Sequence, residues 1–145
     1  ISIRLVGSEM CIRDRDYSLK YIKKILKKLS EDPVTNKTPT IVFARDPKCN
    51  LDEFKLDDLS CYGMFTSIDR SSAIKVFEGS HALQGNLDPK ILLEEDSVIK
   101  ESVLKILSEF KDFPGYIFNL GHGITPDINP DKVKVLVEAI RESGS

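Results

Sequence analysis

Short apolar, β-prone runs alternate along this chain with longer stretches whose apolar residues recur every three or four positions, and that alternation limits the fold more than any other feature. Thr40-Ile41-Val42-Phe43-Ala44, bounded by Pro39 and Asp46-Pro47, reads as a buried strand. Tyr62 to Ile68, His81 to Gln84, and Tyr116 to Leu120 after Pro114-Gly115 read as three more. Before the first strand, Tyr17, Tyr21, Ile22, Ile25, Leu26 and Leu29 keep helical spacing until the chain reaches Pro33. Leu51, Phe54 and Leu59 predict a short amphipathic helix, and Ser71 to Phe77 another. Val98, Ile99, Val103, Ile106, Leu107 and Phe110 mark a long helix with one apolar face. The last helix opens with Asn129 as N-cap and Pro130 at its first position, turning Val133, Leu136, Val137 and Ile140 inward. Four strands, each followed by a helix, predict right-handed β-α units on a parallel sheet. The class is therefore α/β, either a doubly wound sheet or part of a (β/α)8 barrel. A whole barrel of that kind takes about 250 residues, so four units would make half of one.

Charge narrows the function. With 21 basic and 23 acidic residues among 145, the net charge is −2, which removes the electrostatic case for nucleic-acid binding. Lys20, Lys23, Lys24, Lys27 and Lys28 then read as the solvated face of the first helix. No apolar run approaches the roughly 20 residues that span a bilayer. Cys11, Cys49 and Cys61 are odd in number, far apart and without a C-x-x-C pair, which speaks against a cysteine zinc cage and fits a reducing compartment.

Residues 1–15 stand apart from the rest. They lack the apolar core and cleavage site of a signal peptide and show no clean period. The stretch SEMCIRDR resembles translated sequencing-adapter DNA fused to a truncated reading frame; the other reading is a natural strand and turn. The expected organisation is a non-native leader over residues 1–15 and a barrel portion over residues 16–145.

In parallel α/β folds the chemistry lies beyond the carboxyl ends of the strands. That points to four loops: Arg45–Pro47, Ile68–Arg70, Gln84–Pro89 and Gly121–Asp127. Neither G-x-G-x-x-G nor G-x-x-x-x-G-K-[ST] is present, so the usual nucleotide phosphate loops are missing. Gln84-Gly85-Asn86-Leu87-Asp88-Pro89 gathers polar and conformationally special residues directly after a strand. It reads equally well as a turn that caps the next helix. Asn119-Leu120-Gly121-His122-Gly123 sets a histidine between two glycines at a strand end, where the ring can stand clear and serve as a proton donor or carboxylate partner. No serine, cysteine or second histidine is placed to complete a triad with it. His81, at the start of a strand, receives no role.

Ala82-Leu83-Gln84-Gly85-Asn86-Leu87-Asp88-Pro89 resembles the LQGNLDP motif of uroporphyrinogen decarboxylases. Tyr116 to Gly123, continuing through Pro126-Asp127 and Asn129-Pro130 to Val133, resembles that family's closing IFNLGHG segment, and Ile41-Val42-Phe43-Ala44 resembles its VIVFAK strand. The motifs occur in the family's order and spacing from about Asp16 to Arg141. One departure stands out. Where the family carries GLDW, this chain reads Gly63-Met64-Phe65-Thr66-Ser67-Ile68-Asp69 and has no tryptophan. Counting back without gaps sets Phe65 on the motif's aspartate; setting Asp69 there requires a shortened helix.

The resemblance implies the C-terminal half of a (β/α)8 barrel. It also implies cofactor-free loss of carbon dioxide from the four acetate side chains of uroporphyrinogen III, giving coproporphyrinogen III in haem synthesis, in a cytoplasmic homodimer. His122 is the implied substrate-binding residue, contacting a carboxylate or positioning the ring, while Gln84, Asn86 and Asp88 are implied to shape the cleft. The family's catalytic aspartate and arginines are expected upstream of Asp16, so this stretch alone is not expected to catalyse, and no metal or cofactor is implied. Two alternatives stay open. One is a cobamide-dependent methyltransferase of the same barrel type, which tends to carry Gly-Cys where this chain has Gly121-His122; the other is a non-catalytic truncated barrel module.

Overall fold

Which side chains share a face of the sheet decides where the core and any cleft can lie. The computed structural model describes residues 15–45, 47 and 50–143. Residues 1–14 of the expected leader, with Cys11, and also Cys49 lie outside the described residues. Four strands, β1 (Ile41–Phe43), β2 (Cys61–Gly63), β3 (Ala82–Gln84) and β4 (Tyr116–Ile117), pair in parallel in the order β1-β2-β3-β4. A doubly wound sheet reverses its strand order at a switch point. This sheet does not, so it winds in one direction, as an arc of a (β/α)8 barrel does.

The register places Val42, Tyr62, Leu83 and Tyr116 on one face and Phe43, Gly63, Gln84 and Ile117 on the other. The first face meets the helices. Tyr62 stacks on Phe77 of α2 (Arg70–Phe77) with ring centroids 5.1 Å apart. Ile99, Val103 and Ile106 of α3 (Asp96–Glu109) are buried in the same core as Leu83. The helix α4 (Pro130–Ser143) packs on α3 and begins as its sequence predicts, with Asn129 Oδ1 accepting from Asp131 N at 3.0 Å. Ahead of β1, α1 (Lys20–Glu31) follows a π-helical turn, Arg15–Leu19, and ends at Asp32, whose extended backbone is what a residue before proline adopts.

Several expectations need correcting. The first strand is not buried: Ile41 and Phe43 are each about half exposed. Within the described residues β1 pairs with β2 alone, and its odd-numbered side chains point to the face opposite the one that packs on α2 and α3. The apolar run from Tyr62 to Ile68 contributes only Tyr62 and Gly63 to the sheet, in a strand that starts at Cys61; Met64 is fully buried, and the backbone then closes a turn with Ile68 N donating to Phe65 O at 3.0 Å. The helix expected over Leu51, Phe54 and Leu59 is a 3-10 turn, Leu51–Phe54, so β1 is not followed by a full helix. In α1, Leu26 is buried, Ile22 packs against the core, and Leu29 is partly buried. Tyr17, Tyr21 and Ile25, spaced four apart, form a separate exposed stripe about 100° around the helix. Val98 is exposed, and Val137 faces a shallow groove with Lys134, Glu138 and Arg141 while Ala139 takes the buried place. Among the described residues no helix is long and apolar enough to cross a membrane.

Candidate functional site

Beyond the last ladder pair the chain keeps the sheet's hydrogen bonding going, and this builds the site. Gly85 N donates to Ile117 O at 3.1 Å, Leu87 N to Asn119 O at 3.1 Å, and Gly121 N to Leu87 O at 2.8 Å. The β3 and β4 extensions therefore run side by side as far as the Leu87–Leu120 bridge, which delivers His122 to the carboxyl end of the sheet. Two glycines make the approach possible. Gly85 has φ +115°, and a Cβ there would lie 2.8 Å from Met64 O; a Cβ on Gly121 would lie 2.6 Å from the Thr66 amide nitrogen.

A cavity of about 520 Å³ opens at this end. Phe43, Gly63 and Gln84 line it from the open sheet face, Asn119, Leu120, His122, Gly123 and Ile124 from the β4 extension, and Val133 and Leu136 from α4. His122 and Gln84 thus share one cavity. The His122 ring is partly exposed, with Nδ1 2.9 Å from Gly123 O and its plane tilted over Phe65, centroids 5.7 Å apart. A backbone carbonyl accepts, so Nδ1 carries the hydrogen and Nε2 is left as the acceptor when the ring is neutral. The cavity walls are otherwise apolar, apart from the Asn119 amide, whose Oδ1 accepts from Leu120 N at 2.8 Å.

Asn86 and Asp88 do not line this cavity. Asn86 is 2 % exposed and donates from Nδ2 to Phe65 O and to Ile68 O, each at 2.9 Å, so it pins the turn that carries Phe65. Asp88 caps the 3-10 turn Pro89–Leu93 by accepting from Lys90 N at 3.0 Å. Asp69, left without a role from the sequence, is the N-cap of α2. The Ser71 and Ser72 hydroxyls and the Ser72 amide hold its carboxyl down to about 2. Gly63 pairs with Gln84 and Phe65 meets His122, so of this segment it is Gly63 and Phe65 that reach the site. His81 sits at the opposite end of the strands, between Ser80 Oγ and Leu56 O, and edge-on to Phe77. Burial pushes the Cys61 thiol up, away from reactive thiolate character.

Asn119 and Phe65 went unassigned in the sequence. Period-two parity finds the first, since Ile117, Asn119 and Gly121 alternate along one extended segment. Nothing local finds the second: its contact with His122 depends on a turn folded by Asn86 from another strand.

These features define an α/β protein of the parallel barrel class with a histidine-bearing cleft at the carboxyl ends of its strands. A family profile described as Uroporphyrinogen decarboxylase (URO-D) matches residues 14–143. The chain belongs to the uroporphyrinogen decarboxylase family. It is 36 % identical over 128 residues to the uroporphyrinogen decarboxylase of Alcanivorax borkumensis, a match covering 88 % of this chain and 36 % of that protein. To the uroporphyrinogen decarboxylase of Ruthia magnifica it is 35 % identical over 127 residues, covering 88 % of this chain and 37 % of that protein. The chain thus spans just over a third of the length of these curated relatives. A solved structure, a methyltransferase from Methanosarcina mazei, superposes with a TM-score of 0.72 over 93 % of this chain and 38 % of that one at 17 % identity, which is a likeness of fold.

Proposed function

We propose that residues 16–145 are the C-terminal portion of a uroporphyrinogen decarboxylase, a cytoplasmic, homodimeric carboxy-lyase that needs no cofactor. The observation that carries this reading is a single histidine, His122, facing a cavity at the carboxyl ends of the strands in a chain of that family. The substrate is uroporphyrinogen III. Protonation of a pyrrole ring makes it an electron sink; the acetate C–C bond then breaks, carbon dioxide leaves, the carbon that held it takes a proton, and the ring gives up the proton it had gained. Four such steps give coproporphyrinogen III. Within this portion His122, in its doubly protonated form, donates from Nε2 to a substrate carboxylate, and the apolar wall of Phe43, Leu120 and Ile124 takes one face of the macrocycle. Gln84 adds a neutral amide, while Asn86 and Asp88 shape the cleft through the backbone turns they hold. The aspartate and arginines that stabilise a cationic ring and bind the other carboxylates belong to the preceding part of the barrel.

The test is a chimera in which residues 16–145 follow the upstream part of the Alcanivorax borkumensis relative. Coproporphyrinogen III is expected from uroporphyrinogen III, with a strong loss of kcat/KM in the His122→Asn form and an unchanged melting temperature. A folded chimera that makes no product, or one indifferent to His122→Asn at every pH, would overturn the reading.

A further inference from the structure

The turn that meets His122 is held from a distance. Phe65 O and Ile68 O both accept from Asn86 Nδ2, and the turn between them makes two contacts with the β4 extension. Phe65 lies against the imidazole, and the Thr66 backbone abuts Gly121. Both contacts require the buried amide to point its nitrogen at the turn. Turned over, it would set its oxygen against two carbonyl oxygens and leave its own hydrogens without those acceptors.

Arg70 acts on the other side of the amide, where its Nη1 donates to Asn86 Oδ1 at 3.4 Å and favours the same orientation. That bond is long, so its effect depends on where the guanidinium is held. Glu109, at the end of α3, holds it with a fork: Arg70 Nε bonds Glu109 Oε2, and Nη2 bonds Oε1 at 3.1 Å. Both side chains are about 30 % exposed or less, so water competes only in part. The bond from Arg70 keeps the Glu109 carboxyl below the usual carboxylate range, so the fork stays charged through neutral pH.

We propose that the Arg70–Glu109 ion pair is a positioning device for His122, acting through the orientation of the Asn86 amide and the Phe65 turn. The functional consequence rests on the reading of His122 given above, but the device itself is a property of this chain and is tested without any decarboxylation. An ion pair that only braces α2 against α3 predicts lost stability and nothing else. A positioning device predicts that the surroundings of the His122 ring change while the rest of the fold keeps its geometry.

The experiment is nuclear magnetic resonance on the isotope-labelled full chain, reading the cross-peak between the Phe65 and His122 rings. The Phe110–Tyr116 cross-peak serves as the fold control. Arg70→Met is expected to abolish the first and keep the second; Glu109→Gln, which retains one acceptor for the fork, is expected to weaken the first. If Arg70→Met keeps the Phe65–His122 cross-peak at wild-type strength, the proposal fails. If Arg70→Met does not fold, Glu109→Gln decides by the same criterion, wild-type strength overturning the proposal and a selective loss supporting it. Failure here leaves the chimera result untouched, and the converse holds too.

Discussion

Tyr116 lies flat on Phe110, ring centroids 3.9 Å apart and planes within 5°, and its hydroxyl donates to the Gly85 carbonyl. One side chain thus joins α3 to the loop that leaves β3. Removing the hydroxyl in Tyr116→Phe keeps the stack and leaves a buried carbonyl without that donor, a loss of about 1–2 kcal/mol in chemical denaturation. Burial also raises the phenol's pKa above its ordinary value of 10.0. As pH climbs past that value the unfolded chain gives up this proton while the folded chain keeps it, so stability falls on the alkaline side. Tyr116→Phe should show a flatter alkaline limb than the wild type, and parallel limbs would refute the burial account.

Asp69 works at the other end of the pH range. Its folded value of about 2 lies below the ordinary 3.8, so its contribution is complete above 3.8 and is lost as pH falls toward 2. Asp69→Asn keeps an acceptor for the Ser72 amide but has no proton to gain. It should lower stability slightly at neutral pH and reduce the slope of melting temperature between pH 4 and 2. Equal acid slopes in the two proteins would place the acid sensitivity elsewhere.

How far the fold could be read in advance follows from how local each signal is. Asn129-Pro130 placed the start of α4 because a cap and a fixed φ act over one turn. The four parallel strands were legible because the apolar runs are short and punctuated. Their extents were not: the run through Met64 to Ile68 continues the apolar pattern of a strand, but leaves the sheet as a turn whose hydrogen-bond partner, Asn86, comes from the next β-unit. Burial within a helix is less legible for a related reason. Tyr17, Tyr21 and Ile25 keep helical spacing, yet spacing reports a stripe and not which neighbour covers it. At the site, His122 and Gln84 could be placed by strand-end logic alone, whereas Asn86 and Asp88 share the same motif but serve the backbone.

Adjacent residues on α4 separate these two kinds of information. Leu136 is 8 % exposed and lines the cavity, whereas Val137 is 37 % exposed on the outer groove. Leu136→Ala should cost about 2–5 kcal/mol, while Val137→Ser should stay within about 0.5 kcal/mol. Urea denaturation of the two variants checks the assignment, and a reversed order of stabilities would mean that α4 is rotated about its axis.

The glycines that flank His122 make the sharpest contrast, because they look equivalent in the sequence. A methyl at Gly121 would meet the Thr66 hydroxyl and also enter the Thr66 backbone, 2.6 Å from its nitrogen and 2.7 Å from its Cα, and the backbone cannot swing away as a side-chain end can. At Gly123 a methyl would meet nothing within 4 Å. Gly121→Ala must therefore push the β4 extension and the Phe65 turn apart, at a cost of about 1–3 kcal/mol, and carry the imidazole off its contact with Phe65. Gly123→Ala should melt with the wild type and leave the imidazole where it is. Denaturation curves give the first half of this comparison, and the ring cross-peak between Phe65 and His122 gives the second. If Gly121→Ala proves as stable as Gly123→Ala and keeps the cross-peak, the close approach of the two loops is wrong, and the histidine is placed by its own segment alone.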